Sequence, residues 1–234
     1  MDEVEIIRPL KPFMTYTLIL LNVFVHILQY LSPEITYNYS LVPAQILQAQ
    51  NLHTLITCMF LHSDPIHLFY NMYFLYLFGP TVEQEMHPLL YIPLYLFAGI
   101  IGSLGHTFLT VTLEGIFIPY AAYIRTLGAS GAIFGILAAY AYLMPRRRIR
   151  VWTGYGETNR YIAAWNFIMI YFIFEVVLTL IEFGSGVAHG AHVFGFVGGY
   201  IFAIAYQRLR LIIERKQIQK EYHTPKYYSK LFTQ

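Results

Sequence analysis

Long uncharged apolar runs, separated by short clusters of charge, constrain this chain more than any other feature. Six runs stand out, at about 13–31, 66–82, 88–109, 129–145, 161–181 and 188–207. A helix needs about 20 apolar residues to cross a hydrocarbon core of about 30 Å, and tilt absorbs some excess length. Only 12% of the 234 residues are charged, against about 25% in an average soluble domain. The expected fold is therefore all-α and polytopic: one six-transmembrane-helix domain over 13–207, a cytoplasmic segment 1–12 before it and a basic cytoplasmic tail 208–234 after it. The first run is too long for a signal h-region and no small-residue cleavage site follows it, so it is read as a retained helix. Cys58 is the one cysteine, which excludes an intrachain disulfide.

The basic residues set the orientation. Arg8 and Lys11 precede the first run. Arg146, Arg147, Arg148, Arg150 and Arg160 lie between the fourth and fifth. Arg208, Arg210, Arg215, Lys216, Lys220, Lys226 and Lys230 follow the sixth. If the helices alternate, 14 of the 15 Lys and Arg share one side and only Arg125 lies opposite. Basic connections stay cytoplasmic, which predicts a multi-pass protein of the cell membrane with both termini inside. The two long outer connections, 32–65 and 110–128, are rich in Tyr, Ile, Leu and Phe. Apolar loops at membrane depth survive only when packed on protein or lining a wet cavity, so both are expected to be partly embedded.

Polar groups inside a span are functional candidates by default, and three runs begin with them at their outer ends. The second carries His67 and Asn71, the fourth Ser130, and the sixth His189 and His192. His67 lies 16 residues before Glu83, Ser130 16 before Arg146, and His192 16 before Arg208. At about 1.5 Å per residue these three sit in one layer, about 24 Å above the inner boundary and about 6 Å below the outer one. A shared site explains a shared depth.

The chemistry of such a site follows from the residue types. Ser130 opens the fourth helix within Gly128-Ala129-Ser130-Gly131, so first-turn N–H groups can face a developing oxyanion. Gly131 and Gly135 form a small-xxx-small face. His192, Gly195 and Gly199 share a face on the sixth helix, which could bring His192 to Ser130. A serine hydroxyl needs a base, and a neutral imidazole is the usual one. His67 and Asn71, at i and i+4, can both donate toward the substrate carbonyl.

With these residues in place the chain resembles the rhomboid family of intramembrane serine proteases, over roughly 13–207. His67-Leu-Phe-Tyr-Asn71, continuing to Gly79 and Glu83, is similar to the family's second-helix motif. Gly128-Ala129-Ser130-Gly131 resembles its GxSG motif, and Ala191-His192 with Gly195 and Gly199 its AHxxGxxxG pattern. The resemblance implies a six-helix rhomboid-like bundle and a serine-type endopeptidase. Ser130 would be nucleophile, His192 general base, and His67, Asn71 and the Ser130 N–H the oxyanion hole. It also implies that Phe134, four residues after the serine, packs on the catalytic histidine. Relatives often carry a Trp-Arg pair in the first outer loop, and 32–65 has none. The implied partners are transmembrane protein substrates and the lipid bilayer, with no nucleic acid, cofactor or metal; the sequence sets no oligomeric state.

Blander readings compete at single positions. Ser130 alone could be a packing residue, and His67 with Asn71 could be interhelical glue worth about 0.6–2 kcal/mol. His53, His62, His87 and His106 are read as satisfied or solvated, and His189 as a neighbour of the site. A metal centre built from His62, His67, His189 and His192 is the competing enzyme class, but no HExxH or carboxylate set accompanies it. Glu175 is read as a structural hydrogen bond to a facing helix. No acid, Glu175 and Glu182 included, is expected to reach the imidazole. Phe134→Ala is therefore expected to cost more activity than Glu175→Gln or Glu182→Gln.

Overall fold

A computed structural model describes residues 11–151, 160–182 and 186–222. Arg8, Lys226 and Lys230 of the basic clusters lie outside the described residues. The described chain is mostly helical, and its long helices are α1 (Phe13–Leu31), α2 (Pro65–Met86), α3 (Pro88–Leu109), α4 (Ser130–Leu143), α5 (Ala164–Ile181) and α6 (His189–Tyr222).

Among the described residues four segments are long and apolar enough to cross a membrane by length and composition: Phe13–Leu31, Pro88–Phe117, Ala164–Ile181 and His189–Gln219. The other two long helices differ for identifiable reasons. α2 carries Asn71, Glu83, Gln84 and Glu85, with Pro80 in its interior. α4 has 14 residues, and every one from Gly131 to Ala141 is buried. Its rise is about 21 Å, but a helix wrapped by protein has no lipid thickness to match.

α4 packs against α2, α3, α5 and α6, and its seam with α6 is made of glycine. A Cβ added at Gly195 would strike the Gly131 backbone, and one at Gly199 the Gly135 backbone. The two helices therefore meet main chain to main chain, the close approach that small residues permit in membranes. Gly195 and Gly199 follow His192 on one face of α6, so this contact fixes where the imidazole stands relative to α4.

At the opposite end Glu83 is fully buried. Its carboxylate accepts from the Met14 N–H at 2.8 Å, and from the Thr15 N–H and Thr15 hydroxyl, both at 2.7 Å. A carboxylate at a helix N-terminus satisfies otherwise orphaned donors and favours the helix dipole. The acid at the end of α2 thus caps α1.

The long connections are structured. Residues between α1 and α2 form short helices at Glu34–Tyr39, Pro43–Leu47 and Thr54–Thr57 and a 3₁₀ turn at Cys58–Phe60. Leu41 pairs with Thr126 of the other connection through bonds of 2.9 and 2.8 Å. Gln29 of α1 exchanges two hydrogen bonds with the backbone of His62, at 3.2 and 3.0 Å. Leu41, Met59 and Leu61 are buried. These bonds tie both connections to the helices around the site.

Three local expectations change. The fifth run does not begin as helix at 161: Arg160–Ala163 is a strand, paired antiparallel with Arg148–Val151. The third helix does not stop at Leu109 but continues as a π-helical stretch, Thr110–Glu114, and a last turn, Gly115–Phe117. No break separates the sixth run from the basic tail, because α6 runs unbroken across 207 and 208 to Tyr222.

Candidate active site

Asp64 starts α2. Its Oδ1 accepts from the Ile66 and His67 N–H groups at 2.9 and 2.8 Å, with Pro65 in the first turn. The backbone N–H of His67 first, and then the Ser63 hydroxyl, hold this carboxyl below its usual range. The cap sets the register that sends His67 and Asn71 inward.

The entry to α4 is as constrained. Gly128 has φ of +134°, a conformation that side chains resist. A Cβ there would lie 3.0 and 3.1 Å from two atoms of the His67 ring. Its N–H donates to the Cys58 carbonyl at 2.9 Å. No side chain caps α4, so its first-turn N–H groups remain available to a ligand.

These elements meet in a cavity of about 820 Å³ whose lining includes His67, Asn71, Ser130, Phe134 and His192. Ser130 Oγ lies 2.8 Å from His192 Nε2. Phe134 lies flat on the imidazole, with ring centroids 4.5 Å apart and planes at 10°. His192 is thereby held on one face by a ring and at one edge by the serine. Asn71 Nδ2 donates to the His67 carbonyl at 2.9 Å, which orients the amide and leaves its second N–H for the cavity.

The tautomer of His67 depends on a shared proton. The Ser63 hydroxyl donates to Asp64 Oδ2 at 2.7 Å, and its oxygen lies 3.0 Å from His67 Nδ1. One hydroxyl proton cannot serve both. While it points to Asp64, His67 carries its proton on Nδ1 and its Nε2 accepts; if it turns to His67, Nε2–H donates. Asn71 and the Ser130 N–H are donors in either case.

The structure overturns one expectation outright. Glu175 reaches the imidazole: its Oε2 lies 2.7 Å from His192 Nδ1 and 2.7 Å from His189 Nδ1. All three side chains are buried. The acid arrives from α5, a helix that carries neither Ser130 nor His192. Two imidazole N–H groups can donate to this carboxylate. Its hydrogen bond to a facing helix does exist, and the partner is the site. Glu182 Oε2 lies 3.5 Å from His189 Nε2, and its side chain is half exposed. The signal available in the sequence was an acid within an apolar span, which is a functional candidate by default.

Among the described residues one group of side chains could hold a metal ion. Glu175, His189 and His192 each offer an atom within 4.8 Å of the others. Both imidazoles already meet one carboxylate oxygen there, and His62 and His67 are not part of the group. His62 also departs from its expected satisfied state. It is 1% exposed, and among the described residues neither ring nitrogen has a hydrogen-bond partner.

Burial first, and then the neighbouring His67 and His26, push the His62 imidazole down from 6.5 to about 3. A histidine kept neutral in the fold contributes stability in full above its unfolded pKa. That contribution is lost as pH falls from there toward the folded pKa, by up to about 1.4 kcal/mol per pH unit. The detergent-solubilised protein should therefore lose more Tm between pH 7 and 5 than His62→Phe does. Parallel slopes would remove His62 from the acid sensitivity.

Residues 49–209 match the family model described as Rhomboid domain. The chain is 30% identical over 149 residues to the candidate rhomboid protease YdcA of Bacillus subtilis, covering 64% of each chain. It is 31% identical over 166 residues to RHOMBOID-like protein 12, mitochondrial, of Arabidopsis thaliana, covering 68% of this chain and 47% of that one. It is 29% identical over 210 residues to the rhomboid protease AarA of Providencia stuartii, covering 82% of this chain and 72% of AarA. The match thus spans under two thirds of the first two relatives' length.

Proposed function

The chain belongs to the rhomboid family, and we propose that it is an intramembrane serine endopeptidase acting in or near the outer end of transmembrane segments. The observation that carries this reading is the 2.8 Å approach of Ser130 Oγ to His192 Nε2 inside a cavity with donors facing it.

His192 Nε2 takes the hydroxyl proton as Ser130 Oγ attacks the scissile carbonyl carbon. Negative charge gathers on the carbonyl oxygen, where the Ser130 N–H and Asn71 amide donate; His67 joins them as its Nε2–H tautomer. The imidazolium then protonates the leaving amine, and an acyl-enzyme remains. Water gives its proton to His192, attacks the ester and frees Ser130. Phe134 supports the reaction by keeping the imidazole flat against α4.

A helical substrate ties its carbonyl into an i→i−4 bond, so the segment must unwind before attack. We expect substrates with helix-weakening residues at the cut and a small side chain before it, as the family resemblance suggests. Between α2 and α5, Phe74 stacks on Tyr171 at 5.8 Å, and both line the cavity. A helix entering sideways would part these two rings.

In this reading the chain crosses the membrane six times, with both termini cytoplasmic and the two long connections partly embedded on the outer face. In a Cys58→Ser background, Glu3→Cys, Tyr155→Cys and Pro225→Cys should react with an impermeant thiol reagent only from the cytoplasm. Asn38→Cys and Gly115→Cys should react only from outside or within the outer leaflet. An inner site labelled from outside sinks the six-span arrangement.

The activity is tested with purified protein and a single-span model substrate in detergent or liposomes. Wild type should yield two fragments and Ser130→Ala none, and EDTA or phenanthroline should change nothing. Cleavage lost to chelation and restored by zinc would move the chemistry to the histidines as metal ligands.

A further inference from the structure

We propose that Glu175 is the third member of the site, a positioning residue that holds His192 in the tautomer Ser130 needs. This rests on the serine-protease reading above and adds to it. The carboxylate arrives from α5, the imidazole from α6 and the serine from α4, so three helices supply one proton path.

A neutral imidazole has one N–H and one lone pair. Only a bare Nε2 can take the Ser130 proton, and Nε2 is the atom 2.8 Å from Ser130 Oγ. The proton must then sit on Nδ1, and the atom 2.7 Å from Nδ1 is Glu175 Oε2, an acceptor when ionised. The opposite tautomer would put a bare Nδ1 against that oxygen, two lone pairs facing across 2.7 Å. Glu175 therefore selects the productive tautomer and stabilises the imidazolium that forms during attack.

His189 completes the device. One helical turn before His192, it aims its own Nδ1 at the same oxygen, also at 2.7 Å. Two N–H donors from one helix reach a carboxylate on its neighbour. They also fix the carboxylate's direction, since it cannot turn without breaking both bonds. The Phe172–Phe196 stack, with centroids 4.1 Å apart, is the apolar counterpart below. The carboxylate thus couples α5, the helix that lines substrate entry, to the base.

Steady-state cleavage of the single-span substrate tests this with Glu175→Gln and Glu175→Asp beside Ser130→Ala. Glutamine keeps the shape but can present an N–H to Nδ1, favouring the wrong tautomer. Its kcat should fall on the order of 10²–10⁴-fold with KM within about threefold, the split expected of a group acting on the chemical step. Aspartate, which keeps the charge on a shorter stem, should recover at least tenfold of that loss. A purely structural role would instead lower the amount of folded enzyme and leave kcat per labelled active site unchanged.

Should Glu175→Gln fail to fold, wild-type protein carrying ¹⁵N-histidine decides the matter, with His192→Asn identifying the ring's signals. The neutral His192 ring should show a protonated Nδ1 and a bare Nε2. A ring protonated at Nε2, or a folded Glu175→Gln with wild-type kcat beside an inactive Ser130→Ala, overturns the proposal and leaves the serine reading standing. Turnover by Ser130→Ala would instead overturn the reading on which it rests.

Discussion

Ser130→Ala and His192→Ala should each abolish cleavage, and the double variant should be no worse than either. Nucleophile and base act as a unit: removing one makes the other useless, with single losses on the order of 10⁶-fold in a comparable serine site. Residual rate would come from the donors facing the carbonyl, which both substitutions leave in place. The fold should survive Ser130→Ala. It removes one hydroxyl that is partly exposed to the cavity, while His192 keeps its stack on Phe134 and its bond to Glu175. A thermal melt beside the cleavage assay separates loss of chemistry from loss of fold. Unequal singles, with His192→Ala retaining a large share of turnover, would mean that another group accepts the serine proton.

Asn71→Ala should lower kcat by on the order of 10²–10³-fold with KM little changed. Of the two side chains assigned to the carbonyl oxygen, Asn71 and His67, the amide is the one whose donor role does not depend on a tautomer. His67 shares that task only when the Ser63 hydroxyl points at its Nδ1 rather than at Asp64. The Ser130 N–H donates in every state, which bounds the loss from below complete inactivation. The cost to the fold is small, since Asn71 surrenders only a bond to the carbonyl four residues back on its own helix. A variant whose KM rises while kcat holds would make Asn71 a substrate-binding group instead.

The juxtaposition of Ser130, His192, His67 and Asn71 was legible because membrane helices convert sequence distance into depth. Equal counts to the first charge placed three polar residues in one layer, and glycines at 195 and 199 marked the face that could press on 131 and 135. Phe134 followed only from the family resemblance. Glu175 was visible as an anomaly, but its target was not, because helical spacing reports neighbours within a helix and says nothing of a carboxylate crossing from another. The strand pair Arg148–Val151 and Arg160–Ala163 was hidden because Tyr161, Ile162 and Ala163 are apolar and merge with the run of α5. α4 and α2 are read as spans by hydrophobicity; α4 is buried from Gly131 to Ala141, and α2 carries the buried Glu83. Their place in the bundle depends on packing that no single segment encodes.

The ends of α3 and α6 show the same limit from the other direction. Polar residues at 110–114 and basic ones after 207 look like exits from the membrane, and they do not stop a helix. Backbone hydrogen bonding continues wherever no proline or cap interrupts it, so a change of solvent is not a change of secondary structure.

A nucleophilic Ser130 can be read by a covalent label. Purified protein treated with a fluorophosphonate, digested and analysed by mass spectrometry should carry one phosphonyl adduct, on Ser130. Labelling should advance in step with the loss of substrate cleavage and should be absent from His192→Ala. If the inhibitor stops cleavage while Ser130 stays unmodified, or does so through an adduct on another residue, Ser130 is not the nucleophile.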